Sequence, residues 1–198
     1  VTDVAVIDSG VANLGSVLAA FARADLPVRV ARTPGELSGA SHVVLPGVGS
    51  ARPAMARLVA TGFAEAVPRL AVPVLGICLG MQLLFRRSAE DNVACLGIID
   101  APVERLSATA GLRVPHMGWN RLEPVAEDPL LAGFPDPAHA YFVHSYAAPV
   151  GPWTLAACTH GQAFSAIVRE RNFVGAQFHP ERSAGVGARL LRNFVGSP

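Results

Sequence analysis

Gly76-Ile77-Cys78-Leu79-Gly80 is the stretch with the clearest chemical potential. It has the G-x-S-x-G form of a nucleophile elbow, with cysteine in place of serine. Such a turn is sharp, so the residues flanking the nucleophile must be small. A thiol held between a strand and the start of a helix favours its thiolate, through the positive end of the helix dipole. Alone, the pattern would also fit a buried cysteine in a glycine turn. A nucleophile further needs a base, and the base an orienting group. His179-Pro180-Glu181 offers both within three residues, and it follows the expected strand Phe173 to Phe178. Pro46-Gly47-Val48-Gly49 is the third element. Attack on an amide carbonyl creates an oxyanion, and glycines let a backbone N–H approach it.

These segments must be brought together by strands. Val4 to Asp8 reads as a continuous apolar strand ending at Ser9-Gly10, and Asn13 as the cap of a helix through about Ala24. Strands are expected at Val28–Ala31, Val43–Leu45 and Val72–Leu75. Helices are expected from about Ala51 to Val59 and from Leu79 to about Arg86. That alternation predicts βαβ units and a parallel sheet covered on both faces. The second half changes character. Strands are expected at Leu96–Ile99, Trp119–Leu122, Tyr141–Tyr146, Trp153–Cys158, Ala166–Arg169 and Phe173–Phe178, with few helices between them. They suggest an antiparallel addition to the sheet, before a last helix from about Ala184 to Val195. In an open α/β sheet, ligands bind at the carboxyl ends of the strands, so Cys78 and His179 should share one edge. No repeat or linker divides the chain, and residues 1–198 are expected to form one domain.

The elements PGVG, GICLGMQ and HPE, in this order, resemble the class I glutamine amidotransferase family. The resemblance runs from VIDSGVANLGSV to QFHPERS. It implies a flavodoxin-like α/β fold and a Cys-His-Glu triad that hydrolyses glutamine. Carried over by position, it implies Cys78 as nucleophile, His179 as general acid and base, and Glu181 as its orienter. Gly49 and Leu79 would donate backbone N–H groups to the oxyanion. Gln82 occupies the substrate-binding place in GMQ. Glu90 would meet the substrate α-amino group, and Ser145 and Tyr146 would hold the substrate by backbone contacts. LGICLGMQLL, PHMGWN (Pro115 to Asn120) and YFVHSYA (Tyr141 to Ala147) are similar to members that pass ammonia to a cyclase subunit, a (β/α)8 barrel. PHMGWN would then lie near that partner. No metal or organic cofactor is expected.

Two other readings remain open on the sequence. One is a glutaminase subunit of another pathway, such as anthranilate or vitamin B6 synthesis. The other is a non-catalytic flavodoxin-like binding module. The remaining residues read more plainly: His144 as a structural histidine, Cys95 and Cys158 as buried apolar residues, Arg86-Arg87 as complementing a helix end. His42, His139 and His160 have no motif around them.

Bulk composition limits the alternatives. With 51% hydrophobic and 16% charged residues, the 198-residue chain suits a compact globule. A net charge of +1 provides no general field for nucleic acid. No apolar run reaches the roughly 18 residues that span a bilayer. The N-terminal stretch, with its early Asp3, does not read as a signal peptide. Three cysteines without CxxC spacing argue against a disulfide framework or zinc site, and for a reducing cytoplasm.

Overall fold

The computed structural model describes residues 2–8, 10, 13–108 and 112–196. Ser9, Val11 and Ala12, part of the N-terminal stretch of the resemblance, lie outside the described residues. The strands, in chain order, are β1 (Val4–Ile7), β2 (Val28–Ala31), β3 (His42–Gly47), β4 (Val74–Cys78), β5 (Phe85–Ser88), β6 (Val93–Ala94) and β7 (Ile99–Arg105). They continue as β8 (His116–Pro124), β9 (Ala138–His144), β10 (Tyr146–Ala147), β11 (Thr154–His160), β12 (Gln162–Glu170) and β13 (Phe173–Ala176). The helices are α1 (Leu14–Arg23), α2 (Ala51–Thr61), α3 (Phe63–Ala66), α4 (Leu79–Gln82) and α5 (Ala184–Gly196).

The larger sheet runs β2-β1-β3-β4-β13-β12-β11-β8-β9. Its first five strands are parallel, in the 2-1-3 order of doubly wound sheets. From β13 onward every pairing is antiparallel, the expected extension. The core explains why the parallel strands read as unbroken apolar runs: both faces are covered. Val4 and Val6 of β1 belong to the apolar cluster that includes Val17 and Phe21 of α1 and Leu190 and Phe194 of α5. Ala5 and Ile7 belong to the opposite cluster, with Met55 and Leu58 of α2 and Phe63 of α3. The Asn13 side chain caps α1 by accepting from the Ser16 N–H at 3.3 Å, as expected.

The stretch after Cys78 departs from expectation. The helix ends at Gln82 instead of continuing to Arg86, and Phe85–Ser88 forms a strand. That strand belongs to a second sheet, β10-β7-β5-β6, which the sequence reading did not anticipate. LLFRR has good helix formers, but β5 buries Phe85 and Ser88 while Arg86 and Arg87 face solvent. Pairing to β7 and β6 overrides local propensity here. Arg86 and Arg87 therefore complement no helix end. Arg86 pairs with Asp100 at 2.7 Å and Arg87 with Glu104 at 3.2 Å, both at the surface. The strand expected at Leu96–Ile99 begins instead at Ile99.

Candidate functional site

Three adjacent strand ends build the site. In the sheet register Gly47 of β3 lies beside Cys78 of β4, and Ile77 beside Ala176 of β13. Continuing one residue past β13 brings Gln177 to the level of Cys78, and two more bring His179. The carboxyl edge of the parallel sheet thus gathers the PGVG turn, the thiol and the HPE turn, as the topology predicts.

Cys78 has φ 52° and ψ −110°, a backbone conformation that costs a non-glycine residue about 1–3 kcal/mol. The surrounding packing enforces it. A Cβ on Gly80 would sit 1.9 Å from the Leu45 carbonyl oxygen, and one on Gly76 would sit 2.7 Å from backbone atoms of Gly80 and Met81. Only glycine permits this approach of β4, α4 and β3, so both glycines of the elbow are steric requirements. Because α4 is a single turn, a helix macrodipole contributes little. Whatever favours a thiolate must come from nearby groups instead.

The HPE turn supplies one. His179 Nδ1 lies 2.8 Å from Glu181 Oε1, both side chains being almost wholly buried. Burial works against the imidazolium. Hydrogen bonds that the ring donates to Cys78 and Glu181, with the charges of both, outweigh it and push the His179 pKa up to about 10. The backbone of the turn is fixed as well. The His179 N–H donates to the Tyr141 carbonyl at 3.0 Å, and the Ser183 hydroxyl donates to the His179 carbonyl at 2.7 Å. Glu181 Oε2 is buried and has no hydrogen-bond partner among the described residues.

A cavity of about 310 Å³ opens in front of Cys78 and His179. Gly49, Leu79, Gln82, Glu90, Ser145 and Tyr146 line it, so every candidate from the sequence except Glu181 faces one space. Glu181 stands behind His179. Gly49 holds φ +90°, within the glycine-favoured region. The Glu90 carboxylate accepts from the Ala51 N–H at 3.0 Å, capping α2 in place of Ser50, whose side chain makes no cap bond. Burial pushes the Glu90 pKa up, and the Ala51 hydrogen bond opposes it. The Tyr146 carbonyl accepts from Gln82 Nε2 at 2.8 Å and from His144 Nδ1 at 2.9 Å. Both its lone pairs are occupied, so ligand contacts from this segment fall to its other groups.

Several polar side chains near the site escaped the sequence reading. Gln177 is fully buried, with its Nε2 3.8 Å from Cys78 Sγ and its Oε1 accepting from Gln82 Nε2 at 3.0 Å. A lone glutamine within the expected strand Phe173–Phe178 was the available signal. His144 lines the cavity and belongs to a chain of neutral rings. The Tyr146 carbonyl can only accept, so His144 carries its proton on Nδ1 and accepts on Nε2. His116 Nδ1, 3.0 Å away, therefore donates to it, and Asn120 Nδ2 donates to His116 Nε2 at 3.2 Å. Burial pushes His144 down to about 3 and His116 down to about 4. His160 stacks on His116, with ring centroids 4.2 Å apart. On the solvent side of β8, Met117 and Trp119 are 64% and 55% exposed. Cys158 is buried as expected, but Cys95 only half so; burial pushes their thiols up to about 12 and about 11. No group of three or more His, Cys, Asp or Glu among the described residues is placed to hold a metal ion. Among them, too, no helix is long and apolar enough to cross a membrane.

A buried thiol on a strained elbow, beside a carboxylate-oriented histidine, is a constellation suited to acyl transfer through a thioester. The family model for class-I glutamine amidotransferases matches residues 5–197, and the chain belongs to that family. A solved structure described as a glutamine amidotransferase shares the fold, with TM-score 0.74 and 21% identity over 96% of each chain. The chain is 56% identical, over 98% of its length and 97% of the relative's, to the imidazole glycerol phosphate synthase subunit HisH of Xanthomonas euvesicatoria pv. vesicatoria. The HisH subunit of Xylella fastidiosa (strain Temecula1) matches with the same identity and coverage.

Proposed function

We propose that this chain is the glutaminase subunit of an imidazole glycerol phosphate synthase, supplying ammonia for histidine biosynthesis. The observation that carries the chemistry is the Cys78–His179–Glu181 arrangement at the wall of the cavity. The Cys78 thiolate attacks the side-chain amide carbon of glutamine, and the carbonyl electrons move onto oxygen. The N–H groups of Gly49 and Leu79 receive that charge. Collapse of the tetrahedral species breaks the C–N bond, and His179 gives its proton to the departing ammonia. The neutral imidazole then takes a proton from water, whose oxygen attacks the thioester. The second collapse releases glutamate and restores the thiolate. Glu181 keeps the ring oriented and balances its charge. Gln82 and Glu90 hold the amino-acid end of the substrate, and Ser145 and Tyr146 border it.

The ammonia is used by a cyclase subunit, a (β/α)8 barrel, in a heterodimer. It converts a phosphoribulosyl-formimino carboxamide nucleotide to imidazole glycerol phosphate and the aminoimidazole carboxamide nucleotide. The exposed Met117 and Trp119 on β8 suit the partner-facing surface, since interface centres favour such side chains. Three free cysteines, the nucleophile Cys78 among them, suit a reducing cytoplasm. The test is Cys78→Ala in the reconstituted complex. Product formation driven by glutamine should fall by orders of magnitude, while formation driven by an ammonium salt should persist. Substantial glutamine-driven turnover in the variant would refute the assignment.

A further inference from the structure

Gln177 is a fully buried polar side chain that no step above uses. Its amide lies between the nucleophile and a second buried amide, Gln82. A primary amide can face either way, but here one backbone group decides. The Tyr146 carbonyl accepts only, so the amide group that Gln82 turns toward it must be its Nε2. The same nitrogen reaches Gln177, so Gln177 must present Oε1 to it. That leaves Gln177 Nε2, and its protons, toward the sulfur at 3.8 Å. Reversing Gln177 would set two donors against each other at Gln82 and an oxygen against the sulfur.

We propose that Gln177 is a further catalytic residue, a hydrogen-bond donor to the reacting sulfur of Cys78, aimed through Gln82 by the Tyr146 carbonyl. The inference rests on Cys78 being the nucleophile. A thiolate accepts a hydrogen bond far better than a thiol or the neutral sulfur of a thioester. The contact therefore favours the thiolate over the thiol. It does for the thiolate what the single turn of α4 is too short to do. The amide cannot titrate, so the donor is present whatever the state of His179.

The test is the pH dependence of Cys78 alkylation by iodoacetamide in the full chain, followed by mass spectrometry of the labelled peptide. It is paired with glutamine hydrolysis by the complex. Gln177→Met keeps the volume and removes the donor. It should move the alkylation midpoint up by about one pH unit and lower kcat about tenfold, with KM for glutamine within about twofold. If Gln177→Met does not fold, Gln177→Glu is read in the same way, with a larger upward shift, because a carboxylate then faces the sulfur. A folded variant with the wild-type midpoint and kcat overturns the proposal. Failure of the underlying reading looks different: alkylation of wild-type Cys78 would then leave glutamine hydrolysis intact.

Discussion

Acidification from pH 7 to pH 5 should weaken the fold mainly through His116 and His144. Both rings are held neutral in the folded chain, at about 4 and about 3, whereas an unfolded histidine titrates near 6.5. Their folded values are depressed, so as pH falls below 6.5 the unfolded state takes up protons that the folded state refuses. Linkage sets the loss between pH 7 and pH 5 at about 2 kcal/mol for each ring. His179 acts in the opposite sense. Its folded value is raised to about 10, so its contribution is complete below 6.5 and disappears as pH rises through 10. Over the same interval it returns about 1 kcal/mol. The three histidines together should therefore cost about 3 kcal/mol, a large fraction of an ordinary folding free energy. Urea unfolding of the full chain at both pH values measures this. His116→Gln isolates the ring, because an amide can still donate to His144 and accept from Asn120 but does not titrate. The variant should lose about 2 kcal/mol less than wild type across the interval. Equal losses in both proteins would refute the neutral-relay argument, since every other group titrates in both.

Gly80→Ala should destabilise the chain by about 3 kcal/mol and abolish glutamine-driven turnover, because the new Cβ meets the Leu45 carbonyl oxygen; wild-type melting and activity would contradict it. Glu181→Gln should be less damaging than His179→Ala, since the orienter moves no proton; rates of glutamate release by the two variants decide the order. Hydrolysis by the isolated chain should be slow and should rise when the partner holds its own substrate, because a peptide flip at Gly47-Val48-Gly49 that presents or removes one oxyanion donor changes the rate roughly a hundred- to a thousand-fold. Glutamate release measured alone, with partner and with partner plus nucleotide tests the switch, and Gly49→Pro should erase any difference, since proline lacks the N–H and cannot take the φ of +90°.

What the sequence revealed, and what it concealed, follows from how local each signal is. The elbow, the HPE turn and PGVG were legible because each is a short motif next to an apolar strand. Strand order then brings them to one edge without further information. β5 was illegible because its four residues follow a helical run, and only pairing with β6 and β7 makes them extended. Gln177 was overlooked for a related reason. Its importance lies in contacts with Gln82 and Cys78, which are 95 and 99 residues away in the chain. His116 and His144 pose the same problem: PHMGWN and YFVHSY each show one histidine, while the relay exists only in the β8–β9 register, where His116 lies opposite His144.

The two sheets divide the site between them. Cys78, Gln177 and His179 extend from the parallel strands of the larger sheet, whose register and both-face burial leave them little freedom. Glu90 lies in the turn between β5 and β6, and Tyr146 in β10, so the opposite wall of the cavity comes from the smaller sheet. Contacts among the described residues tie the walls together. Glu90 caps α2, which follows directly on the PGVG turn, and the Tyr146 carbonyl fixes Gln82 and, through it, Gln177. The second contact carries the greater consequence. A backbone carbonyl in one wall of the cavity orients an amide beside the Cys78 sulfur, so Tyr146, a lining residue, also sets the polarity of the groups around the sulfur. The two walls are therefore coupled by geometry, although they arise from different sheets.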